Sequence, residues 1–496
     1  MAVMALVLAA GCSGGEGREP VEPKPEPVEG APPPSPHADG TVPGVTGEPR
    51  VGEREPSPSP APAPAPLAPY SPWIAPPVYG PPGGMATPVL TAPSTGISVK
   101  WKAEIGVTTY KSTIHYHDGR IIVGSNGSSW KDSQDARDGL YILDPADGSI
   151  DLQFVPPGTG EKDVNGVALG KDLIFLGTDQ DNLYAVDWTG SVKWQTTLVG
   201  DVEAAPALAD LDGDGKLDVA VGSEGGVMYG IGGKKGKTLW SVKATAGYYN
   251  SPAFVGAAAL GDVTGDGIAD VFVPSRDAVF RAIDGKTGKL LWSHQGGSGM
   301  HGAPILVDAD GDGQLEVIFT ESYSEVRSAD ASTGVIEWHV ELTNPDGGIE
   351  GLFGPVGWYP EAGCALVSTA WWAASEGVYC LAGTSGAMLW RYNESKGNIS
   401  SGAVVGDVDG QPGSEAVFGT ESGKLVAVDT SGVPVRMYEL GGAIECTPTL
   451  ADIDGDGLVE ILVASNDGFI RALETDGVAP PVIGYHRGDS HNAAVF

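Results

Sequence analysis

Five short segments of this chain space oxygen-bearing side chains in the same way. They are Asp210-Leu-Asp212-Gly-Asp214-Gly-Lys-Leu-Asp218, Asp262-Val-Thr264-Gly-Asp266-Gly-Ile-Ala-Asp270 and Asp308-Ala-Asp310-Gly-Asp312-Gly-Gln-Leu-Glu316, followed by Asp407-Val-Asp409-Gly-Gln411-Pro-Gly-Ser-Glu415 and Asp452-Ile-Asp454-Gly-Asp456-Gly-Leu-Val-Glu460. Side-chain oxygens at positions 1, 3, 5 and 9, with a backbone carbonyl at 7, suit a hard cation. Calcium accepts six to eight oxygens in flexible geometry, and glycine at position 6 permits the sharp turn that points them inward. Magnesium demands a tighter octahedron. Without cations each loop crowds three or four like charges, a destabilising arrangement. The plainer explanation is that DG and GDG are ordinary hairpin turns. Recurrence at one place in a repeat argues instead for about five structural calcium sites, weaker where Thr264 and Gln411 replace carboxylates. A strand rather than a helix follows each loop, so these are not EF-hands.

The elements that hold the loops repeat from residue 98 onward. Trp-bearing strands recur at Trp101, Trp194, Trp240, Trp292, Trp338 and Trp390, with weaker equivalents at 150–154 and 434–440, at intervals of 42 to 52 residues. Most follow a tight turn such as DGKTGK at 284–289, an alternating strand such as AVFRAID, and earlier still a strand such as LDVAVGS or LEVIFTE. Period-2 alternation with glycine-rich punctuation reads as antiparallel strands. Four strands per repeat, arranged around a ring, predict an all-β fold: a β-propeller of eight four-stranded blades over 98–496. Strand 98–105 has no blade of its own and is expected to close the last one. The indoles are expected to pack between blades, because each buries a large apolar area.

Composition supports this. Gly 74 and Pro 39 favour turns over helices, and speak against a helical bundle. The net charge of −35 excludes nucleic acid and anionic membrane surface as partners. No apolar stretch reaches the roughly 18 residues that a spanning helix needs. Residues 13–97 carry 24 prolines and are expected to form a disordered tether. Residues 1–12, MAVMALVLAAGC, resemble a bacterial lipoprotein signal ending in a lipidated Cys12, which implies export to the cell envelope or surface and membrane contact only through the anchor. Cys364 and Cys380 fall on what read as neighbouring strands and are able to pair, and Cys446 is left single.

ADLDGDGKLDVAVGS, VDADGDGQLEVIFTE and ADIDGDGLVEILVAS resemble the FG-GAP/VCBS repeats of integrin α-subunit propellers and bacterial surface proteins. GVMYGIGGKKGKTLW, AVFRAIDGKTGKLLW and KLVAVDTSG resemble the PQQ-like repeats of quinoprotein propellers. Both resemblances imply a propeller, and neither fixes an activity. They imply three functions: a calcium-stabilised surface binding, adhesion or scaffold module; a polysaccharide lyase; or a quinoprotein dehydrogenase. The last usually has adjacent paired cysteines and a haem motif, which this sequence does not show. No catalytic residue stands out, so the expectation is binding of a protein or polysaccharide.

In such a blade the calcium loops share one face with the DxxTG turns. Most sequence irregularity falls on the opposite face, where Tyr249, His301, Trp371 and Trp372 are the candidate ligand-binding residues. Adjacent Trp371 and Trp372 cannot both enter one core, so one is a candidate stacking platform. His115 and His117 share a strand face but lack a third metal ligand. Arg487-Gly-Asp489-Ser490 reads as a chance match.

Overall fold

A computed structural model describes residues 98–129, 135–245, 252–343, 349–370, 376–394 and 398–478. These form eight four-stranded antiparallel sheets, the blades of a β-propeller. Blade 3 is representative: Ala207–Ala209, Asp218–Ser223, Val227–Gly232 and Lys237–Lys243 pair in chain order, first strand to fourth. First strands of neighbouring blades touch around the axis from blade 3 to blade 5 and from blade 6 through blade 8 to blade 1, the last contact being Ile114–His117 of blade 1 against Thr449–Ala451 of blade 8. The fourth strand of blade 8 is Ser98–Glu104, the start of the described chain, paired with Phe469–Val478. The two ends of the propeller sequence therefore share one sheet.

In blade 3 the three inner strands are short and almost wholly buried, while the fourth mixes exposed, half-buried and buried residues. That difference follows from position, since inner strands are covered on both faces by neighbouring blades. In each of the six Trp-bearing sheets a register shift occurs one residue before the tryptophan, as at Lys100 before Trp101 and Leu239 before Trp240. Such a bulge bends and twists the strand, turning the indole toward the next blade. Trp101, Trp194, Trp240, Trp292 and Trp338 each donate Nε1–H to a carbonyl in the next blade's third-to-fourth turn, at 2.6 to 2.8 Å. Cys364 and Cys380 form a disulfide between the second and third strands of blade 6, and Cys446 is free and buried.

Candidate functional site

The five acidic loops join first to second strands in blades 3, 4, 5, 7 and 8. Their first carboxylate shapes the turn. Asp210 accepts from Gly213 N and Gly215 N, both at 2.7 Å, and Asp262, Asp308 and Asp452 repeat the pattern. The ninth residue ties the loop to its blade by accepting the N–H of position 2. Asp218 takes Leu211 N at 3.0 Å, Asp270 takes Val263 N at 3.1 Å, and Glu316 takes Ala309 N at 2.8 Å. Glu415 and Glu460 take Val408 N and Ile453 N, both at 2.9 Å. Ligand oxygens of positions 1, 3 and 9 lie within 4.8 Å of one another in four loops: Asp210/Asp212/Asp218, Asp308/Asp310/Glu316, Asp407/Asp409/Glu415 and Asp452/Asp454/Glu460. In the fifth loop Thr264 supplies the middle oxygen, with its hydroxyl 3.5 Å from Asp262 Oδ1.

Position 5 is tied locally: Asp214, Asp266, Asp312 and Asp456 each accept the N–H two residues ahead through Oδ1. Gln411 donates its backbone N–H to Asp409. Two loops depart from the common form. Pro412 replaces the position-6 glycine, and Asp407 Oδ2 accepts from Val478 N at 3.1 Å. In blade 8, Lys100 Nζ reaches Asp454 Oδ2 at 2.6 Å and Glu460 Oε1 at 3.5 Å. A lysine therefore already offsets part of that cluster's charge. Burial holds Glu316 and Glu415 up at about 7 and raises Asp218, Asp270 and Glu460. Crowded, buried acids of this kind are the chemistry of a cation site.

The opposite face holds a second arrangement. Four residues before each first strand, the crossover carries one residue at an equivalent position of its blade. Glu445, Tyr110, Asp163 and Glu203 come from blades 8, 1, 2 and 3; Val255, His301 and Phe353 come from blades 4, 5 and 6, and Ser400 from blade 7. Three of the first four are acids, with Tyr110 among them, whereas Val255, His301, Phe353 and Ser400 include none. A cavity of about 380 Å³ opens on the acidic half. Second-to-third hairpins add Asn126, Asp179 and Glu421 to its lining, and Thr109, Lys111 and Asn165 complete it. Its acids outnumber its single lysine. A smaller void of about 30 Å³, reaching His301 and Phe353, shares Tyr110 and Lys111 with it.

The cavity floor is buried and its rim half-buried. Asn126 Nδ2 donates to Asp163 Oδ2 at 3.0 Å and to Asn165 Oδ1 at 3.2 Å, and Thr109 Oγ1 donates to the same Asn165 oxygen at 2.8 Å. Asp163 is 1% exposed and Asn126 3%, yet Asp163 Oδ1 and Asn126 Oδ1 have no partner among the described residues. Burial pushes Asp163 up to about 8, with the Asp179 and Asp138 charges adding to it. Burial also raises Asp179 and Glu445 to about 7, with Asp201 and Glu421 respectively contributing. Lys111 pairs with Glu203, and burial lowers its ammonium to about 8 against the pull of Glu224 and Asp179.

Of the candidate ligand-binding residues, His301 lines the axis: its Nδ1 lies 2.7 Å from Ser322 Oγ, and its ring sits against Phe353. Burial first, then Arg276 and Lys111, lower it to about 3, so the ring is neutral at ordinary pH. Tyr249, Trp371, Trp372, Cys12 and the Arg487–Ser490 segment lie outside the described residues. His115 Nε2 meets Val167 O at 3.0 Å, and His117 stacks on Trp188. The cavity's acids were missed in the sequence, although Asp179 and Glu421 directly follow the strand ends LIFLGT and EAVFGT.

The family model described as outer membrane protein assembly factor BamB (PQQ_2) matches residues 159–247 and 213–353. No curated protein matches the chain. BamB from Moraxella catarrhalis is similar in fold, with a TM-score of 0.54 at 17% identity over 76% of this chain and 97% of that one. The quinohemoprotein alcohol dehydrogenase of Comamonas testosteroni superposes with a TM-score of 0.59 at 13% identity, over 78% of each chain. The Dos1 propeller gives 0.54 at 13% identity, over 76% of this chain and 95% of its own. At these identities the likeness shows the fold. The chain is thus an eight-bladed β-propeller in which residues 159–353 carry repeats matching the BamB family model.

Proposed function

We propose that this protein is an exported, lipid-anchored binding scaffold: calcium in the acidic loops clamps one face, and a protein partner with basic side chains docks at the axial mouth of the other. The observation that carries this reading is the acidic half-ring of Glu445, Asp163 and Glu203 around an open cavity. Rigid inner strands hold it, and such a field steers and selects a basic partner. The match to an assembly-factor family over residues 159–353 supports a protein ligand. The Cys364–Cys380 disulfide suits an oxidising, exported location. On this reading the FG-GAP/VCBS-like loops serve stability.

The likeness to a quinohemoprotein supports the dehydrogenase alternative at the level of fold. The cavity residues do not fit its cofactor. A polycarboxylate quinone would face Asp163, Asp179, Glu203, Glu421 and Glu445 with Lys111 alone to receive it, and the paired cysteines are 16 residues apart rather than adjacent.

To test the scaffold reading, immobilised calcium-loaded protein is offered cell-envelope proteins and a polysaccharide panel. A basic protein should be retained, and neutral Glu421→Gln with Glu445→Gln should weaken retention several-fold, with no new reducing ends or unsaturated products. Product accumulation from a polysaccharide, or retention indifferent to both changes, contradicts it.

A further inference from the structure

The axial cavity has a chemical bias beyond its charge. Among the described residues, the polar atoms left unpartnered on its buried floor are acceptors: Asp163 Oδ1 and Asn126 Oδ1. Asn126 has already committed both amide hydrogens, to Asp163 and Asn165, so the amide cannot turn to serve itself. A buried acceptor without a donor costs about 1–3 kcal/mol. A ligand that satisfies them brings N–H or O–H donors, and the acids of the rim favour one that is cationic.

A bare metal ion answers poorly. Among the described residues, every group of three acids whose ligand atoms converge within 4.8 Å lies in the loops of the opposite face. The axial acids are spread around a cavity of about 380 Å³, far more than the roughly 30 Å³ share of one water. Tyr110 supplies an aromatic surface among them, suited to methylene groups and to cations.

We propose that this cavity binds a linear polyammonium compound of the putrescine and spermidine class, with one ammonium at Asp163 and Asn126 and the others toward Asp179, Glu421 and Glu445. An ammonium is donor-only: it satisfies the Asn126 oxygen directly and the Asp163 carboxylate once the proton that group holds in the free protein is released on binding. Flexible methylene spacing lets separated carboxylates be met in turn.

The test is calorimetric titration of spermidine into the full chain at fixed calcium. One saturable event is expected, and Asn126→Leu and the near-isosteric Asp163→Asn should each weaken it about tenfold or more. Asp151→Asn, exposed on the outer strand Ile150–Phe154, should leave it unchanged. Melting temperatures check that each variant is folded, and Asp163→Asn carries the test if Asn126→Leu is not. Absence of a saturable event, equal weakening by Asp151→Asn, or magnesium producing the same Asp163-dependent event would overturn the proposal. The titration needs no protein partner, so its failure and that of the docking reading are distinguishable.

Discussion

Trp240 Nε1 donates to Gly285 O in the next blade at 2.6 Å, and the same indole lies beneath Gly288, where an added Cβ would come within 2.6 Å of Trp240 Cβ. One side chain thus joins two blades by burial, a hydrogen bond and a close backbone approach. Gly288 has φ +69 and permits that approach because it lacks a Cβ. Trp390 packs under Gly432 in the same way, but its buried Nε1 has no acceptor among the described residues. The turn there is one residue shorter: Gly432 N returns to Asp429 O, whereas Gly288 N returns to Asp284 O. The other shortened turn, Asp187 to Gly190, covers Leu152, which needs no acceptor.

Trp240→Phe should therefore cost more than Trp390→Phe. The first leaves a carbonyl without its donor, a loss of about 1–2 kcal/mol beyond the shared packing loss; the second removes an unsatisfied N–H. Chemical denaturation of the two variants checks the order, and equal losses would count against it.

Calcium removal should lower the melting temperature. A site saturated a hundredfold above its dissociation constant contributes about 2.7 kcal/mol, worth a few degrees in a domain of this size. The Asp210 and Asp308 loops, each with four carboxylates, should bind most tightly. Lys100→Met should strengthen the Asp452 loop by removing the competing ammonium. Melting with and without excess chelator, with calcium counted by native mass spectrometry, checks both; a melt indifferent to chelator contradicts the metal reading.

The pH dependence should carry a signature of the axis. Asp163 is raised to about 8, so the folded chain holds a proton there that the unfolded chain has lost. Stability from this group is full below the unfolded carboxylate range near 4 and is lost as pH rises toward 8. Asp179, Asp138 and Glu161 face it with like charge, and Asn126 opposes them by donating to it. Relative to the wild type, Asp163→Asn should gain melting temperature between pH 5 and pH 9 at saturating calcium. A constant difference across that range would count against a raised Asp163.

The propeller could be read from the sequence because its repeat is carried by residue types that recur: the six tryptophans, the DxxTG turns and the acidic loops. The axial ring could not, because its residues share a register rather than a type. Tyr110, Asp163, Glu203 and Val255 become equivalent only by counting back from first strands of three or four residues, such as Ala207–Ala209. His301 stood out only as an irregularity. The meeting of Lys100 with Asp454 could not be read from the expected ring closure alone, because Lys100 sits in the register shift between Val99 and Trp101, which the sequence does not announce.

Docking at the axis is tested most directly by photo-crosslinking in living cells. A benzoylphenylalanine at Thr109, on the rim, is compared with one at Asp151, on an outer strand. The scaffold account predicts a discrete protein adduct from Thr109 that is diminished by Glu421→Gln with Glu445→Gln, and none from Asp151. Equal adducts from both positions, or an adduct from Asp151 alone, would contradict it.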